Sequence, residues 1–193
     1  MSETKTINFD NNDTVLMGNK MVRSKQLAVV AVLLAIGAVL RAVTPPIAGI
    51  TPNFVIAMYC LAILLIRPNL GGAIGVGLVG GAVAMIFSKS PIPYLNLISE
   101  PAGALACAFI VSCLPEFSVK NYSFKPVLAA AIGTLVSGLV YITLNFKFAL
   151  DLPPEKLMIA WNAAFITVVL PVTAINAVLA QILYAPAKKF LRA

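Results

Sequence analysis

Two ionisable side chains interrupt otherwise apolar runs of this chain, Arg41 and Glu100, and they have the most chemistry to offer. A charge at membrane depth is costly, so it defaults to a functional role facing a ligand, an ion path or a partner. Arg41 brings a planar fork of N–H donors that suits a carboxylate, and Glu100 brings oxygens that suit an ammonium group. Both are expected to face one outward cavity that takes a small zwitterionic solute. The competing reading is structural: Arg41 snorkels to the interface and the two residues pair with each other. Amide side chains add donors and acceptors at Asn53, Asn96, Asn145, Asn162 and Asn176. Asn96 stands near Glu100 and Asn176 lies five residues beyond Pro171, so these two, with Asn53, join the expected site. Trp161 and Tyr94 fit an interfacial aromatic belt; the alternative for Trp161 is stacking on an aromatic ligand.

Several chemistries are excluded. The chain contains no His, which removes Ser/His and Cys/His nucleophilic pairs, HExxH metal sites and most zinc sites. Cys60, Cys107 and Cys113 lie in apolar runs without CxxC spacing, where thiols act as small hydrophobes. No Gly-rich GKT or GKS phosphate loop is present, so any ATP hydrolysis must come from other subunits. No enzyme activity, metal or cofactor of its own is expected. The net charge of +7 does not point to nucleic acid, because the basic residues collect in loops and tails between apolar runs.

The elements that must position these residues are helices in lipid. Of 193 residues 60% are hydrophobic and 11% charged, with mean hydropathy +0.95, far from the composition of a water-soluble domain. Six apolar segments run at roughly 25–43, 53–67, 70–88, 95–114, 126–147 and 157–185. Backbone polar groups cannot stay open in hydrocarbon, so each segment is a helix and the class is all-α. The second is too short for a bilayer and should borrow residues from its flanks. Proline-rich breaks separate the segments, and Pro171 should kink the sixth. Residues 1–20 read as a disordered polar tail, and 21–193 as a single six-helix transmembrane domain. Lys and Arg weight one set of loops and both tails, which puts both termini in the cytoplasm of a multi-pass plasma-membrane protein.

Helix one carries Ala28, Ala31, Ala35, Ala38 and Ala42 at alternating spacings of three and four. In lipid, close backbone approach drives helix association, so this stripe serves either packing within the chain or docking of a partner helix.

An ordered set of short motifs spans residues 25–186. It comprises Ala35-Ile36-Gly37-Ala38, Pro45-Pro46, Gly49, Pro52-Asn53 and Ile63-Leu64-Leu65. It continues with Pro93, Asn96 and Pro101, then 133–138 (GTLVSG), Val168-Val169-Leu170-Pro171, Asn176 and Tyr184-Ala185-Pro186. This set resembles the bacterial tryptophan transport proteins, which look like substrate-binding S-components of energy-coupling-factor (ECF) importers. The resemblance implies a six-helix bundle with both ends cytoplasmic and a lid formed by residues 44–53 over an outward pocket for tryptophan. It also implies an Ala31/Ala35 face that docks on a transmembrane coupling protein, with two ATPase subunits driving the cycle. The chain departs from that family's pattern at Asn53, where an acidic residue is expected, and at Glu100, where a lysine is expected. A stand-alone secondary carrier of a small amphipathic solute or vitamin, or a structural membrane-assembly protein, are the alternative readings.

Overall fold

The computed structural model describes residues 15–16, 19–20, 22–47, 50–115, 118–119, 122–149 and 153–192. The helices are α1 (Arg23–Val43), α2 (Val55–Ile66), α3 (Leu70–Ile86), α4 (Asn96–Cys113), α5 (Lys125–Ala149), α6 (Pro154–Ala164) and α7 (Leu170–Arg192). A 3-10 turn, Pro93–Leu95, leads directly into α4, and a π turn, Phe165–Val169, joins α6 to α7 as one rod of 38 residues over Pro154–Leu191. Six rods result, five within two or three residues of the expected segments and the sixth running seven residues past its expected end. Two short antiparallel pairs accompany them, Val15–Leu16 with Asn19–Lys20 and Ser118–Val119 with Tyr122–Ser123. The rest of the 1–20 tail lies outside the described residues.

Four of the rods are long and apolar enough to cross a bilayer, whereas α2 and α3 are shorter. The second element does not lengthen as its sequence leads one to expect. Pro68 disfavours helical geometry at the residue before it, and Arg67 turns left-handed, with φ 46°. At the other end the Asn53 side chain accepts a hydrogen bond from the Val55 amide at 3.1 Å, starting the helix there. Twelve residues at about 1.5 Å each reach roughly 18 Å of a hydrocarbon layer ~30 Å thick. Instead of spanning, α2 is enclosed: all twelve of its residues are buried, packed by α1, α3, α4, α5 and α7.

Glycines let the surrounding helices close on this axis. A Cβ on Gly77 of α3 would stand 2.6 Å from the Pro101 Cα of α4, and one on Gly81 would stand 2.7 Å from the Asn96 carbonyl oxygen. On α4, a Cβ at Gly103 would meet the Tyr59 hydroxyl at 2.5 Å and the Gly133 carbonyl of α5 at 2.7 Å. Backbone cannot step aside as a flexible side chain can. Gly103→Ala is therefore expected to part α4 from α5 and to destabilise the protein by about 1–3 kcal/mol. Thermal unfolding in detergent checks this, and an unchanged midpoint would show slack where the geometry has none.

The bundle has two distinct ends. Lys25 Nζ near the start of α1 donates to the Leu191 carbonyl near the end of α7 at 3.2 Å, so the two termini of the helical domain share one end. Gln181 of α7 donates to the Ser123 carbonyl at 2.9 Å on the way to that end. The opposite end holds the 44–54 and 87–95 connections. An even number of crossings follows.

The sixth rod departs from a simple proline kink. Pro171 has no N–H to give to the preceding turn, and the backbone ahead of it opens into the π turn, where the Leu170 amide bonds to the Phe165 carbonyl five residues back. Such a turn holds one residue more than an α turn. Its Val168 and Val169 point into the bundle and are buried.

Candidate functional site

Because α2 stops short, a space remains above its N-terminus, and the polar residues of the bundle converge there. A pocket there is lined by residues of α1, residues 50–53, α2, α4, α5, the π turn and the start of α7. Its apolar wall comprises Ile50, Ile56, Ile142, Val168, Val169 and Val172, with the Tyr141 ring among them. Arg41, Asn53, Asn96 and Glu100 supply the polar part, with Thr134 and Ser137.

Arg41 reaches this space because of its place on α1. The buried face of that helix is Leu33, Leu34, Gly37 and Arg41. A Cβ on Gly37 would stand 2.9 Å from the Val55 Cα, so α1 runs hard against the start of α2 and directs the next turn of its face over it. The Arg41 side chain is 1% exposed, which does away with the snorkelling alternative. One Nη donates to Asn96 Oδ1 at 3.3 Å, while Nε and the other Nη are buried without a partner. Asn96 is held in turn by its own Nδ2, which donates to the Pro93 carbonyl.

Glu100 is also 1% exposed but lacks nothing. Oε1 accepts from Asn53 Nδ2 at 2.5 Å and, weakly, from Ser99 Oγ at 3.5 Å. Oε2 accepts from the Tyr59 hydroxyl of α2 and from Ser137 Oγ of α5, both at 3.0 Å. Among the described residues no ion pair joins Arg41 to Glu100; each meets an asparagine instead. Asn53 is fixed at three points, since its carbonyl accepts from Asn176 Nδ2 of α7 at 3.0 Å.

The loop carrying Asn53 is tied down at its other side too. Ile47 and Ile50 exchange both backbone hydrogen bonds at 2.9 Å. Thr51 donates its amide to Ser90 Oγ and accepts from the Lys89 amide, each at 2.9 Å. Lys89 Nζ caps the end of α1 through the Ala42 and Thr44 carbonyls. Residues 50–53 thus form part of the pocket wall, fastened to the 87–92 connection on one side and to α4 and α7 on the other.

Of the residues singled out from the sequence, Arg41, Asn53, Asn96 and Glu100 come together in the pocket wall. Asn176 sits just behind it, donating to Asn53 and, at 3.2 Å, to Thr134 Oγ1. Trp161 is not in the wall: it stacks on Phe165 at 5.5 Å and donates Nε1 to Thr143 at 3.1 Å. Tyr59, Ser137 and Tyr141 were not singled out as site residues. Tyr59 had a signal, as the one hydroxyl in the apolar run of α2. Ala28, Ala31 and Ala35 are exposed on the far side of α1 from Arg41, and Ala38 is half-buried.

A bundle with four membrane-length rods around a polar-footed pocket is the build of a solute-handling membrane protein. The chain belongs to a family of that kind, for residues 23–192 match the family described as Tryptophan transporter TrpP. It is similar to a probable tryptophan transport protein of Clostridium acetobutylicum, at 32% identity over 87% of this chain and 94% of that one. Another probable tryptophan transport protein, from Bacillus subtilis, is 27% identical over 89% of this chain and 95% of its own length. No solved structure matches the chain. Family and hydropathy together make it a multi-pass membrane protein of a transport family.

Proposed function

We propose that the chain is the substrate-binding S-component of an ECF-type importer and that its solute is tryptophan. The observation that carries this reading is Arg41, buried in a pocket wall with two N–H groups that have no acceptor. A buried guanidinium with donors to spare calls for an anion, and a carboxylate is the anion an amino acid brings. The remainder of the wall is chiefly β-branched and aromatic, suited to a ring.

The lid role of residues 44–53 is supported by the place of Ile50, Thr51, Pro52 and Asn53 in the pocket wall. The end bearing Arg23, Lys25, Arg67, Lys125, Lys188 and Lys189 faces the cytoplasm by the distribution of positive charge, and the pocket then opens outward. The exposed alanine face of α1 is the docking surface for a transmembrane coupling protein, with ATP hydrolysed by two further partner subunits. Calorimetry of purified protein against the proteinogenic amino acids and water-soluble vitamins tests the assignment. Tight, saturable heat with tryptophan is expected; heat only with a vitamin, or with nothing, would refute it.

A further inference from the structure

The hydrogen-bonding functions in the pocket wall are unmet on one side only. Two guanidinium N–H groups of Arg41 have no acceptor. By contrast, every side-chain carboxylate or amide oxygen in the wall has a donor: Asn96 Oδ1 from Arg41, Asn53 Oδ1 from the Val55 amide, and both oxygens of Glu100. A carboxylate offers about four lone-pair sites, and those of Glu100 receive Asn53, Ser99, Tyr59 and Ser137, all neutral donors. Tyr59 and Ser137 are fully buried and hold Oε2 between α2 and α5. An incoming ammonium group would have to break this set before it could bond. The unmet Asn176 Oδ1 belongs to a residue behind the wall.

We infer that the site reads its ligand through the carboxylate and the ring and leaves the amino group unread, Glu100 being a positioning residue that fastens the 44–54 loop through Asn53. This deepens the tryptophan reading and rests on it. The ligand class it defines is the aromatic monocarboxylates, amino acids among them, and amines without a carboxylate are refused. The bonds made by Glu100 join the loop, α2 and α5 at one atom group, so the carboxylate sets where the loop rests and hence how long any ligand stays.

The experiment is calorimetry with three probes on the intact protein: tryptophan, indole-3-propionate, which lacks only the amino group, and tryptamine, which lacks the carboxylate. Indole-3-propionate is expected to bind within about tenfold of tryptophan and tryptamine at least a hundredfold more weakly, because the charge-assisted pair is made by the carboxylate. The same titrations on Glu100→Gln and Glu100→Ala separate positioning from contact. Both variants should weaken tryptophan and indole-3-propionate by the same factor, with the ratio of the two affinities held within about threefold of the parent. Glutamine, which keeps an acceptor for Asn53, should weaken them less than alanine. A ratio that falls about tenfold or more in Glu100→Gln, through selective loss of tryptophan, would place the ammonium on Glu100 and overturn the inference while leaving the tryptophan reading intact. Tryptamine binding as well as tryptophan would overturn it too. If neither tryptophan nor indole-3-propionate binds the parent protein, the reading and the inference fail together.

Discussion

Arg41→Ala is expected to lower the affinity for tryptophan by about a hundred- to a thousandfold. Hydrogen bonds to charged groups contribute about 1.5–3 kcal/mol each, and a fork to the carboxylate, made by one unmet nitrogen and the Nη it flanks, comes to roughly 3–4 kcal/mol at the lower end of that range, which is that factor in the dissociation constant. Burial keeps water from competing, since the side chain is 1% exposed. Arg41→Lys keeps the charge but replaces a flat fork with a point, so it recovers only part of the loss. Asn96→Ala, which removes the acceptor that aims the guanidinium, should cost less than either change at Arg41. Isothermal titration in detergent or nanodiscs reads all three. A dissociation constant for Arg41→Ala within about threefold of the parent would end the carboxylate assignment, because no such pair is worth so little when buried.

The second large effect concerns the far side of the same helix. Ala31→Trp and Ala35→Trp should each reduce uptake in cells to background while leaving the dissociation constant for tryptophan unchanged. Both alanines are exposed, and their neighbours Leu27, Val32 and Val39 are 61–71% exposed. Among the described residues nothing covers either position. Association in lipid depends on backbones coming close, and a bulky ring on a small-residue face prevents that. Uptake persisting in both variants would remove this face from the coupling scheme. Loss of binding in both would show the stripe to be part of the internal packing.

Much of the architecture was legible because lipid leaves few options. Apolar length and proline breaks placed five of the six rods within two or three residues and the start of the sixth as well, and the depth of Arg41, Asn53, Asn96 and Glu100 put them at one end of the bundle. Hydropathy, however, cannot distinguish a side chain that faces lipid from one that faces protein, since both surroundings are apolar. That is why α2 reads as a deficient span when it is a sheathed core helix, and why the void above it left no trace in the sequence. Trp161 shows a second limit. In an unbroken α-helix it would share a face with Val168 and Val172, seven and eleven residues on. The π turn between them adds one residue, which rotates the face by about 100° and carries the indole out of the pocket wall. Asn53 and Glu100, the two positions where the resemblance leads one to expect other residues, are bonded to each other.

The buried run from Ile56 to Ile66 also decides how a cargo could travel. It forms a stopper beneath the pocket, packed by α1, α3, α4, α5 and α7. Among the described residues, a guest let in at the mouth meets that stopper. Under the S-component role proposed above, delivery would then ask the vessel itself to turn over in the membrane and carry its opening to the other side.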